Sequence, residues 1–139
     1  MTEHSKDETI NSFSDRLKGT WDNSVKSDFV DYAAIIDVSL GGENVHIFMS
    51  GPEPEWFNLP PAEMARRVLN KAAKKARDAG MLGKLYAVDY IHTPDREDVP
   101  KFLDGLIDAA LEQDAAIVGG ECAIHGHFKY IVVFIAAVT

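Results

Sequence analysis

Ala115-Ala116-Ile117-Val118-Gly119-Gly120-Glu121-Cys122-Ala123 is the stretch that decides the fold. Its opening apolar run is too short for a helix and reads as a buried strand over Ala115–Val118. Paired glycines at a strand end let the backbone turn sharply and let a ligand approach closely. Glu121, delivered just past that turn, stands where a sheet end can meet a substrate or a metal. The run predicts a strand, a turn and a candidate site in that order.

Working outward, Val99, Phe102, Leu103, Leu106, Ile107, Ala110 and Leu111 form a helical stripe before this strand. Asp98 is its natural cap, just ahead of Val99 and Pro100. Leu85–Ile91 reads as a strand before that helix. Pro60-Pro61 opens an earlier helix, which runs to Ala79 and stops at Gly80. Met64, Val68, Leu69, Ala72 and Ala76 make its buried stripe. Val30–Val38 and Val45–Met49, separated by Leu40-Gly41-Gly42-Glu43-Asn44, read as a hairpin. Tyr130–Val138 is a last strand, long and apolar on both faces.

The order is β-β-α-β-α-β-β, an α+β fold of two layers with two helices on one face of the sheet. Strands such as Ala33–Val38 and Ile131–Val138 are near-continuously apolar, which implies that both faces are buried. Two helices cover one face, so a second copy of the chain is the simplest cover for the other. A homodimer packed sheet on sheet is the expectation.

A chain of 139 residues is one domain by size. Its formal charge of −8 favours solubility and disfavours nonspecific nucleic-acid binding. Cys122 is its one cysteine, so an intramolecular disulfide is excluded and a reducing, cytoplasmic setting is expected. Met1–Ile10 is polar and acidic, unlike a signal peptide, and no apolar run approaches the roughly 18 residues of a membrane span. Residues 1–28 read as an arm, flexible or weakly helical through Phe13, Leu17 and Trp21.

Val88-Asp89-Tyr90 at a strand end, the amphipathic helix, and Ala116-Ile117-Val118-Gly119-Gly120-Glu121-Cys122-Ala123 together resemble aminoimidazole ribonucleotide synthetase. That enzyme's superfamily includes formylglycinamidine ribonucleotide synthetase, selenophosphate synthetase and thiamine monophosphate kinase. The resemblance runs from Phe29 to Val138 and implies that residues 29–139 are one synthetase-like domain, the N-terminal, ATP-binding one. It also implies a dimer in which two sheets form a barrel. The family's second domain has no counterpart in this sequence. Its glycine-rich phosphate loop would fall at Ser50-Gly51-Pro52-Glu53-Pro54-Glu55-Trp56-Phe57-Asn58, where the later glycines and the lysine are missing. Pro52 and Pro54 carry no N–H with which to cradle a phosphate. The family's Asn-Asp pair becomes Asn70-Lys71, which removes a magnesium ligand. Asp89, Gly119, Gly120 and Glu121 survive.

Three functions follow as expectations. The first is a non-catalytic module holding a small anionic or nucleotide-like ligand at a dimer cleft, sequestering it without turnover. Asp89, Gly119, Gly120, Glu121, Trp56, Arg67 and Lys71 would line that cleft. The second is a small enzyme dependent on a divalent metal held by Glu121, His125 and His127, with His92 and Asp89 on the same rim. In an extended segment His125 and His127 point the same way, although a polar loop facing water is the plainer reading. The third is an interaction protein that pairs with a full-length relative. The helix face carrying Arg66, Arg67, Lys71, Lys74, Lys75 and Arg77 either binds an anion or is a solvated surface. Cys122 reads as a small buried hydrophobe rather than a nucleophile.

Overall fold

In a computed structural model, which describes residues 12–25 and 44–138, two long helices lie on one face of a four-stranded sheet. The strands are β1 (Val45–Ser50), β2 (Leu85–Thr93), β3 (Ala115–Ile124) and β4 (Tyr130–Val138), in the spatial order β1-β4-β2-β3. β4 runs antiparallel to both β1 and β2, and β2 pairs parallel with β3. β1, β2 and β3 therefore all point the same way. The sheet is open and mixed. The expected strand Val30–Val38, and with it the hairpin to Val45–Met49, lies outside the described residues.

Helix α1 covers residues 12–18, α2 spans Pro61–Asp78 and α3 spans Asp98–Gln113. Pro61 opens α2, where its missing N–H costs nothing. Met64, Val68, Leu69, Ala72 and Ala76 are all fully buried, as their spacing requires. The helix ends in a Schellman motif: Gly80, at φ 91°, donates to the Arg77 carbonyl, and Met81 donates to that of Ala76. The Arg77 guanidinium then donates to the carbonyls of Met81, Gly83 and Gln113, tying the end of α2 to the end of α3. α3 stops at Asp114, whose φ of 53° ends the right-handed turn.

The two helices cross at Gly105. A Cβ there would lie 1.9 Å from the Ala62 carbonyl oxygen, so only glycine admits this approach of backbone to backbone. Leu111, expected in the buried stripe of α3, is instead 59% exposed. It follows Ala110 round the helix onto the outer side, beyond the arc that the sheet and α2 cover.

β3 also departs from expectation. The strand does not stop at Val118 but continues through both glycines to Ile124. Ala87 pairs with Ile117 and Val88 with Gly119, so Val118 is an extra residue, a β-bulge. Neither Gly119 nor Gly120 has a positive φ, and neither makes a turn.

Residues 12–25 are not a loose arm. Trp21 donates its indole N–H to the Ile117 carbonyl, and the Ile117 N–H donates to the Thr20 hydroxyl at 2.8 Å. Lys84 holds the Thr20 carbonyl at 3.0 Å, and Arg16 pairs with Asp104 at 2.7 Å. This strap lies along the outer edge of β3, and Trp21 and Val25 pack on Tyr86, Ala116 and Val118. Among the described residues, Val45, Ile47 and Met49 on the face away from α2 and α3 are 65%, 62% and 54% exposed, and Val88 and Phe134 also meet solvent.

Candidate ligand-binding site

Register aligns one residue from each strand in a row across the sheet. Ser50 pairs with Val133, Val133 with Asp89, and Asp89 with Gly120. Alternation along β2 turns Asp89 to the same side as Leu85, Ala87 and Ile91, toward the helices. Ser50 and Asp89 are both buried there. A Cβ on Gly120 would stand 2.5 Å from Asp89 Oδ1, so the glycine leaves room for that carboxyl group.

Burial pushes the Asp89 carboxyl up to about 7, and the charge of Glu121 adds to the rise, against a backbone hydrogen bond that lowers it. Near neutral pH this group is thus half protonated. It is a carboxyl group able both to donate a hydrogen bond and, once ionised, to meet a cation.

Glu121 is one residue on from Gly120 and therefore on the opposite face of β3. It is exposed, and its carboxylate accepts the N–H of Cys122 at 2.9 Å. Asp89 and Gly120 form one group, and Glu121 belongs to the other side. Cys122 is buried in the core among the apolar residues beneath the helices.

His125 and His127 do not share an extended segment. Gly126 between them has φ 80°, which breaks the alternation that would align them. His125 instead meets His92 edge-on, with ring centroids 4.6 Å apart. His92 stacks on Tyr130 at 4.8 Å, and its Nδ1 lies 2.9 Å from the Phe128 carbonyl, so it donates there as the Nδ1–H tautomer. The arrangement is an aromatic clasp on the β3–β4 turn. Among the described residues no three His, Cys, Asp or Glu side chains gather as a metal would require.

Trp56, Arg67 and Lys71 do come together. A 3₁₀ turn, Pro54–Asn58, presents Trp56 to α2, where it packs half-buried against the core. The Lys71 ammonium lies 5.5 Å and the Arg67 guanidinium 6.0 Å from its ring centre. Lys71 pairs with Glu53 from the loop, and Arg67 with Glu63 at 2.9 Å. The rest of the basic face is also engaged. Arg66 pairs with Glu63 and Asp108, Lys74 with Asp78, and Lys75 donates to the Met49 carbonyl. Glu63 and Asp78 meet their partners at helical spacing, whereas Glu53 reaches Lys71 from 18 residues away in the chain.

No family model matches the sequence, and no curated protein does. Solved structures do. Thiamine-monophosphate kinase from Stenotrophomonas maltophilia K279a superposes with a TM-score of 0.70 at 14% identity, over 92% of this chain and 42% of its own. The fold is therefore shared with this kinase over 42% of its length. E. coli HypE, a hydrogenase maturation protein, matches at 0.66 and 12% identity over 94% of this chain and 42% of its own. T. maritima PurL, solved with AMPPCP, matches at 0.59 and 16% identity over 94% and 20%. The chain thus spans less than half the length of each of these three proteins. No helix among the described residues is long and apolar enough to cross a membrane.

Proposed function

We propose that this chain is a nucleotide-binding module without turnover, working as a homodimer. The observation that carries the reading is the loop Gly51–Asn58 together with its seat on α2. A fold seen with AMPPCP in PurL is kept, while the segment beside Trp56 is a proline-bearing 3₁₀ turn closed by ion pairs. Pro52 and Pro54 cannot donate to phosphate oxygens, so transfer of a phosphoryl group has no cradle to stabilise it here. Binding is less demanding. Trp56 offers a face for a base, and Lys71 and Arg67 offer cations for phosphates.

The open sheet face supports the second half of the reading. Val45, Ile47, Met49, Val88 and Phe134 form an apolar surface of the kind that marks an interface, and a second copy presents the same surface in return. A dimer formed this way buries what a lone chain leaves in water. Sedimentation of Ile47→Asp against the unmodified protein tests it; a wild-type monomer sinks the dimer.

The functional test is calorimetric titration with ADP and ATP, followed by chromatography of the mixture. Bound nucleotide recovered unchanged supports the module. Hydrolysis or transfer above the buffer rate overturns its non-catalytic half, and no heat with either nucleotide overturns the whole.

A further inference from the structure

We propose that Glu53 is a built-in competitor for the ligand anion: its carboxylate sits on Lys71 and must leave before a phosphate can be taken there. The inference rests on the nucleotide-binding reading and describes how that site is regulated.

The argument begins with what Lys71 touches. Its ammonium is paired with Glu53 and lies over the Trp56 ring, and its side chain is two-thirds covered. Among the described residues its charge is answered by the loop, through Glu53. Arg67, the other cation on Trp56, is answered from its own helix by Glu63. The two cations therefore differ. The Arg67 partner is fixed by helical spacing and stays put when the loop moves. The Lys71 partner is carried by the loop, between Pro52 and Pro54, and its side chain makes no capping hydrogen bond to the 3₁₀ turn that it precedes.

Glu53 also sets the turn that presents Trp56. The Trp56 N–H donates to the Glu53 carbonyl at 2.9 Å. Carboxylate and indole thus leave the same hydrogen-bonded turn. Anion exchange at Lys71 therefore takes place beside the ring on which a base would stack. An incoming diphosphate carries more charge than one carboxylate, and it replaces the Glu53 pair with a stronger one. An uncharged nucleoside cannot make that exchange.

Fluorescence and calorimetric titrations with ADP, inorganic pyrophosphate and adenosine separate the outcomes. Glu53→Gln keeps the shape of the side chain and removes its charge. It is expected to bind ADP and pyrophosphate roughly tenfold more tightly than wild type, from the lost competing pair and the lost repulsion. Adenosine binding should be unchanged. Lys71→Gln placed in the Glu53→Gln background should abolish the gain, and circular dichroism of each variant checks that the fold is intact. If wild type binds ADP and Glu53→Gln binds it no better, the competition is wrong while the nucleotide reading stands. If neither protein binds any of the three probes, both are wrong.

Discussion

Replacing Asp89 by Asn tests the central electrostatic feature of the sheet. The carboxyl stands at an ordinary 3.8 when exposed and at about 7 in the folded chain, because burial disfavours its charge. A folded value above the unfolded one means that the native state holds its proton more tightly. The stabilisation is therefore complete below pH 3.8 and disappears as pH rises through 7. Each tenfold change in proton affinity is about 1.4 kcal/mol, so the full effect is about 4 kcal/mol. Between pH 5 and pH 8 more than half of it is lost. Asn has the same shape and no charge to bury, so Asp89→Asn should not lose this. Urea unfolding of both proteins at pH 5 and pH 8 isolates the group, since every other titration cancels in the difference. Relative to wild type, the variant should gain roughly 2–3 kcal/mol on going to pH 8, which raises its melting temperature by several degrees. A difference that stays constant within about 0.5 kcal/mol across that range would refute the assignment of a buried, reluctant carboxylate.

Other substitutions probe the packing. Gly105→Ala drives a methyl into the Ala62 carbonyl and should cost about 3 kcal/mol or prevent folding, measured by thermal melting. Gly120→Ala pushes on the Asp89 carboxyl rather than on backbone, so it should destabilise less and also shift the pH dependence just described. Thr20→Val leaves the buried Ile117 N–H without its acceptor and should cost about 1–3 kcal/mol in urea unfolding. Lys74→Ala breaks only an exposed pair with Asp78, and its melting temperature should match wild type to within about 2 °C.

The helical layer was readable because its signal is local. Five buried positions of α2 recur at helical spacing, and the stop at Gly80 needs nothing beyond its neighbours. Gly105 broke no pattern and so gave no warning, since its reason is Ala62 on another helix. Gly119 and Gly120 misled in the same way. Paired glycines mean a turn on local evidence, but here Gly120 answers the Asp89 carboxyl on the next strand, a fact of register. Likewise, His125 and His127 align only if the residue between them is extended, and Gly126 is not. Of the seven residues expected to line one cleft, Trp56, Arg67 and Lys71 stand together, whereas the opposite facing of Asp89 and Glu121 follows from alternation along strands whose extent was underestimated.

The strap on β3 has a consequence for how the chain behaves outside its native state. Ala115–Val118 is apolar, β-prone and uncharged, the kind of segment that recruits further strands when its edge is bare. Here the edge is occupied by side chains: a hydroxyl and an indole occupy both outward backbone groups of Ile117. The rest of the strap is held by Lys84, by the Arg16–Asp104 pair and by the packing of Trp21 and Val25. Proteolytic clipping after Trp21, or a shortened expression product starting beyond it, would uncover a sticky edge on an otherwise folded sheet. The N-terminal segment thus covers this edge, and its loss should make the protein precipitate before it melts.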